Sequence, residues 1–220
     1  MISLNRREMK LSKEKVSDID QAQDPNFVKK ITDQVLKDID YIKNYKSIAP
    51  KAKPVKDYRE AKIVKAVTSS IYPQTFGFIA KNFKKEETIE KLRWMGQRSV
   101  AIFYSIHPQR LQKKGGFVDI VREIGIHSGE RVKLEKQITK KGVLQSCIIR
   151  KYKCIFCTEG YPVETPNLFY CYPSASFYQH YYNIRSLMLG NLKPRLIFVD
   201  IIKTAENDDD YCLYHVERIE

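Results

Sequence analysis

The chain has 220 residues, a formal net charge of +13 and 43% hydrophobic residues, which allows one domain with an extension and a real core. No run reaches the ~18 apolar residues of a membrane span, and MISLNRREMKLSKEK carries no apolar signal region, so no transmembrane segment and no secretion are expected. Five cysteines, an odd number without a signal region, point to reduced thiols in the cytoplasm.

Residues 1–23 are polar and charged and read as a loose arm. Asp24-Pro25 is a helix start, with Asp as N-cap and Pro in the first turn. Phe27, Ile31, Val35, Ile39 and Ile42 then recur at helical spacing, so 24–43 is an amphipathic helix that needs a surface to cover it. Pro50-Lys51-Ala52-Lys53-Pro54 reads as an extended linker. These segments make up an N-terminal unit over 1–56, ahead of a domain over 57–220.

The domain opens with a helix over 57–71, carrying Ala61, Val64, Val67 and Ile71 and ended by Pro73. A short helix covers 74–83. A long one covers 86–106, acidic at its start and stopped by Pro108. Ile89, Leu92, Met95, Ser99, Ile102, Phe103 and Ile106 are its expected inward face, with Gly96 and Ser99 small enough for close approach of another backbone. A further short helix spans 118–126. Two β-rich runs, 131–139 and 143–153, flank Lys140-Lys141-Gly142 and form a hairpin. An irregular connection leads to a helix over 174–189, with Phe177, Tyr181, Ile184 and Met188 aligned. A second hairpin pairs 195–204 with 211–219 across Glu206-Asn207-Asp208-Asp209-Asp210. The order predicts an α+β domain: a helical N-terminal half packed on a four-stranded antiparallel sheet made of two hairpins.

Three constellations can carry function. Cys154 and Cys157 form a C-x-x-C, and Cys171 and Cys212 supply enough sulfur to close a tetrahedral zinc site; the plainer reading is buried, reduced cysteines acting as small hydrophobes. Cys171 or Cys154 with a histidine, His180 foremost among His107, His127, His180 and His215, would make a thiol nucleophile and its base. Phe169, Tyr170, Tyr172, Phe177, Tyr178, Tyr181 and Tyr182 crowd into 14 residues. Tyr170, Phe177, Tyr178 and Tyr181, with Phe103, are candidates to wall a small-molecule pocket, or else plain core. Charge is uneven: residues 131–153 hold eight Lys/Arg against Glu135, a basic face that could meet nucleic acid or an anionic membrane. P-loop, Rossmann, H-E-x-x-H and G-x-S-x-G patterns are absent.

Leu92-Arg93-Trp94-Met95-Gly96 before Ser99-Val100-Ala101, the positions of Cys154 and Cys171, and the basic strand followed by an acidic turn and Cys212-Leu213-Tyr214 together form a pattern. It resembles the L-2-amino-thiazoline-4-carboxylate hydrolase-like proteins and the related four-vinyl-reductase-type ligand-binding domains, whose fold is shared with TRAPP transport-particle subunits. The resemblance spans about residues 85–219. It departs from the hydrolase-like pattern at Ser174, where C-x-x-D is expected, and at Asp208, where the turn has Gly. The resemblance implies a small-molecule binding or sensor domain that forms homodimers through helices. It also implies, as an alternative, a Cys-dependent hydrolase of a small cyclic thiazoline-type C–N bond; a third reading, in which the amphipathic N-terminal helix docks a partner, is a scaffold subunit without a ligand. It places Cys154, Cys171 and Cys212 near one another.

Overall fold

The structure, a computed structural model, describes residues 24–44, 71–111, 115–128, 130–141, 143–152, 168–189, 195–205 and 211–219. The expected arm at 1–23, the linker at 50–54, the helix over 57–70, the turn at 206–210 and both Cys154 and Cys157 lie outside them.

Helix α1 runs Pro25–Asn44, α2 over 71–82, α3 Lys85–Ile106 and α4 Phe117–Ser128, with a 3-10 turn at Pro108–Arg110 between the last two. Strands β1 (Arg131–Lys140) and β2 (Val143–Tyr152) follow, then α5 (Tyr172–Met188), β3 (Leu196–Lys203) and β4 (Cys212–Ile219). The sheet order is β1-β2-β4-β3, antiparallel throughout, so two hairpins are joined through β2 and β4. The predicted α+β architecture holds. None of the described helices is long and apolar enough to cross a membrane.

Asp24 caps α1 as its sequence suggests, its Oδ1 accepting the Asn26 amide at 3.0 Å. Val35, Ile39 and Ile42 are buried in the main core, while Phe27 and Ile31 are half-buried against Leu196 and Ile219. Each such burial contributes roughly 1.5–3 kcal/mol for a fully covered large side chain. Pro73, expected to end a helix, lies inside the helical residues of α2. Its neighbours Tyr72 and Phe76 are buried against Tyr170, with ring centroids 4.5 and 5.0 Å away, and this packing holds the segment in place.

The inward face of α3 differs from expectation. Thr88, Leu92, Gly96, Val100 and Tyr104 are buried, whereas Ser99 is exposed and Ile102 is 43% exposed. The buried residues form one i, i+4 row, and Gly96 at its centre decides the choice. A Cβ there would stand 2.1 Å from the Pro173 carbonyl oxygen. Helix α5 therefore rests on α3 backbone to backbone, and the apolar residues to either side of that line remain partly in solvent.

Strand alternation sets the sheet's inner face: Cys147, Ile149 and Lys151 on β2, Cys212, Tyr214 and Val216 on β4, and Ile197, Val199 and Ile201 on β3 are all buried. Helix α5 is covered on nearly every side, including its polar residues Ser174, Gln179, His180, Asn183, Arg185 and Ser186. Buried polar groups need partners. Ser174, Gln179, His180, Asn183 and Arg185 find them on β2, β3, α1 and α4, and Ser186 at Arg195 just before β3, whereas Ser176 Oγ has no hydrogen-bond partner among the described residues.

Candidate functional site

Cys171 is the N-cap of α5, and Cys212 opens β4 directly opposite Lys151 of β2. The two sulfurs lie 3.6 Å apart, both thiols are reduced, and both are buried. Helix and strand meet here because Cys171 stands at the N-terminal end of α5 and Cys212 at the start of β4, both buried. The Ala205 amide also donates to the Cys212 Sγ, at 3.4 Å.

Beside the dithiol sits an ion pair that the sequence does not announce. Lys151 points inward because Cys147 and Ile149 do, two residues apart on the same strand. Its Nζ is 2.8 Å from Glu130 Oε1 and 2.6 Å from Ser174 Oγ, with both charged side chains 1% exposed. Tyr178 donates its hydroxyl to Glu130 Oε2 at 3.3 Å, and the Glu130 amide donates to the Gly125 carbonyl at 2.9 Å. The carboxylate facing Lys151 comes from Glu130, at the entry to β1. The N-terminal end of α5 thus gathers two thiols, an ammonium neutralised by a carboxylate, two hydroxyls and the positive end of a helix dipole.

Two thiolates on one zinc ion at ~2.3 Å each, in tetrahedral geometry, are separated by about 3.8 Å. The observed 3.6 Å fits one edge of that tetrahedron. Among the described residues no group of three or more His, Cys, Asp and Glu is placed to hold a metal, and Cys154 and Cys157 lie outside the described residues. Cys147, the remaining described cysteine, is a core residue whose thiol burial pushes up to about 12.

Of the histidines, none whose side chain is described reaches the dithiol. His180 is nine residues along α5 from Cys171, about 13.5 Å away by helical rise. Its Nε2 lies 2.8 Å from Asp38 Oδ2, which ties α5 to α1. Asp38 also accepts from Gln34 at 3.0 Å and from Arg98 at 3.1 Å. Burial alone would raise this carboxyl; the hydrogen bonds from His180 and Gln34 and the Arg98 charge override it and hold the group below its ordinary value. His215 alternates to the opposite face of β4 from Cys212, and burial lowers its pKa despite Glu217 and Asp200. His107 is eleven residues beyond Gly96, the α3 residue against Pro173, or about 16 Å along the helix. The His127 side chain lies outside the described residues.

The five aromatic residues expected to wall a pocket do not frame one volume. Tyr170 packs against α2, and its carbonyl accepts the Tyr72 hydroxyl at 2.6 Å. Tyr178 faces the sheet, 6.2 Å from the Tyr214 ring. Phe103, Phe177 and Tyr181 form a stack between α3 and α5, with centroids 5.7 and 5.8 Å from Tyr181. The Tyr181 hydroxyl donates to Glu123 Oε1 at 3.1 Å, and burial pushes its pKa up to about 12. Glu123 also takes Arg185 at 3.0 Å and Arg110 at 3.1 Å, which makes it a second polar hub. Neither hub was visible in sequence, because each joins residues tens of positions apart.

Neither the models of known protein families nor the curated proteins contain a match to this sequence.

Proposed function

We propose that the chain is a binding or sensor domain whose ligand centre is the thiol end of α5, with zinc as the ion its donors fit. The convergence of Cys171 and Cys212 at 3.6 Å carries this reading. Cys154 and Cys157 complete a four-sulfur set in the proposal, held by a C-x-x-C just past β2 and by single cysteines on α5 and β4. Bound zinc would fix the connection after β2 onto the helix and the last strand. Ser174, Lys151 and Glu130 give the centre a polar wall in which a small ligand can be oriented.

Binding is favoured over hydrolysis by the surroundings of Cys171. The thiol is fully buried, and neither His180, His107 nor His215 stands where it could take its proton. Homodimer formation through helices belongs to the same proposal. Phe78, Trp94 and Ile102 on α2 and α3 are 64%, 54% and 43% exposed, which supports it.

Native mass spectrometry of the purified chain is the test. One zinc per chain, lost in both Cys171→Ser and Cys212→Ser, is the expected result, and the same spectrum reports bound organic ligand and dimer mass. A chain that stays metal-free after zinc titration would overturn the centre.

A further inference from the structure

We propose that the tip of the β1–β2 hairpin docks on an anionic membrane surface. The feature that carries this is Ile138, 60% exposed, and the backbone that puts it there. Up to Glu135 the strands pair in regular register, Glu135 opposite Ile148. Continued regularly, Ile138 would face Gln145 and fall on the helix-covered side of the sheet. Instead a register shift follows Glu135, Ile138 stands opposite Ser146, and a second shift directly afterwards restores the pairing of Thr139 with Leu144. Lys136 supplies the first shift by adopting a left-handed φ of 47°. A non-glycine residue in that region costs roughly 1–2 kcal/mol. The chain thus uses strained backbone to turn an isoleucine out of the core face and into solvent, the re-aiming of a side chain that bulges perform.

Around Ile138 the tip is cationic. Lys136, Lys140 and Lys141 are exposed, and Lys141 is the second described non-glycine residue with positive φ, at 50°. No acid occurs between Lys136 and Arg150, and Glu135 is already engaged by Arg150 at 3.0 Å and Lys133 at 3.3 Å. Lysines along an edge strand also discourage strand addition, which accounts for the charge. It does not account for an isoleucine at the centre of the charge, since an exposed apolar side chain on an edge works against that purpose. A cationic ring around one apolar side chain fits an anionic bilayer: the lysines meet the headgroups and the isoleucine enters the acyl boundary. Nucleic acid fits less well, because residues 136–150 contain no aromatic residue on which a base could stack.

Sedimentation of the full chain with phosphatidylcholine–phosphatidylserine vesicles, against pure phosphatidylcholine vesicles, tests this. Binding to the anionic vesicles alone is expected, lost at high salt as headgroup attraction is screened. The variant K136E/K140E/K141E should lower partitioning roughly tenfold or more. Ile138→Ser, which keeps every charge, should lower it several-fold with an unchanged melting curve, and it serves alone if the triple variant misfolds. Equal binding to both vesicle types, or full retention by Ile138→Ser, would overturn the proposal. So would binding of a single-stranded oligonucleotide by a chain that ignores the vesicles.

Discussion

Asn183 and Ile197 clasp each other through two hydrogen bonds: Asn183 Nδ2 donates to the Ile197 carbonyl at 3.0 Å, and the Ile197 amide donates to Asn183 Oδ1 at 2.9 Å. The pair is one rung of a ladder. Gln179 Oε1 accepts the Val199 amide at 3.1 Å, and Ser186 Oγ accepts the Arg195 amide at 2.9 Å. Arg93 of α3 donates to the Val199 carbonyl at 3.0 Å. Strand β3 is an edge strand, and these are the backbone groups that β4 leaves unpaired. The spacing works because three or four residues of helix rise about 4.5–6 Å and two residues of strand about 6.6 Å. One face of α5 therefore stands in for a fifth strand.

Asn183→Leu leaves a buried amide and a buried carbonyl of β3 without partners. At about 1–3 kcal/mol per orphaned group, a loss of roughly 2–5 kcal/mol is expected in urea unfolding. A loss under about 1 kcal/mol would mean that water or a shift of β3 replaces the clasp.

Two glycines should respond to alanine with opposite signs. Gly96→Ala drives a methyl into the Pro173 carbonyl and should cost about 3 kcal/mol, the upper end of overpacking. Gly77, in helix α2, has nothing within 4 Å of its would-be Cβ. Gly77→Ala should stabilise by about 0.5–1 kcal/mol through helix propensity. Melting curves of the two variants decide both points, and equal shifts would refute the packing argument.

Acid should loosen the attachment of α1. The Asp38 carboxyl titrates below its ordinary value of 3.8 in the folded chain, so the unfolded chain binds its proton more readily. The stability it contributes is complete above the unfolded value and fades as pH falls through the lower folded one. Unfolding free energy measured from pH 6 downward should fall more steeply in the parent than in Asp38→Asn, which starts less stable. Parallel curves would show that the carboxylate holds no such linkage.

The Lys151–Glu130 pair should behave as a unit. Lys151→Met strands a buried carboxylate and should cost about 3–5 kcal/mol, while adding Glu130→Gln should recover part of that loss. Additive losses in this double-mutant cycle would show that the two side chains do not sense each other.

Much of this arrangement was legible because it is local. The Asp24-Pro25 cap, the stop at Pro108 and both hairpins follow from a few adjacent residues. The close backbone approach expected at Gly96 is found, against Pro173, but the inward face of α3 was drawn through the apolar residues and Ser99 instead of being centred on that glycine. The proximity of Cys171 and Cys212 came from resemblance, and the structure brings them together across 41 positions; Cys154, expected with them, lies outside the described residues. Lys151 escaped notice because both faces of β2 read alike: Ser146, Ile148 and Arg150 on one, Cys147, Ile149 and Lys151 on the other. The ladder of Gln179, Asn183 and Ser186 has helical spacing, but its partner is a separate strand that carries no sequence mark of being an edge.

Strand β4 follows β3 in the chain yet lies between β2 and β3, pairing Cys212 with Lys151. The β1–β2 hairpin can close in about 1–10 μs once it is synthesised. Its inner edge must then wait while the ribosome adds the 61 residues from Lys151 to Cys212, several seconds at roughly 5–20 residues per second. Throughout that interval Cys147 and Ile149 face water beside an unpaired backbone edge, with a lysine awaiting its helix. The nascent chain thus carries a timed vulnerability on β2, and a chaperone that holds extended apolar strands would find its target there before β4 arrives.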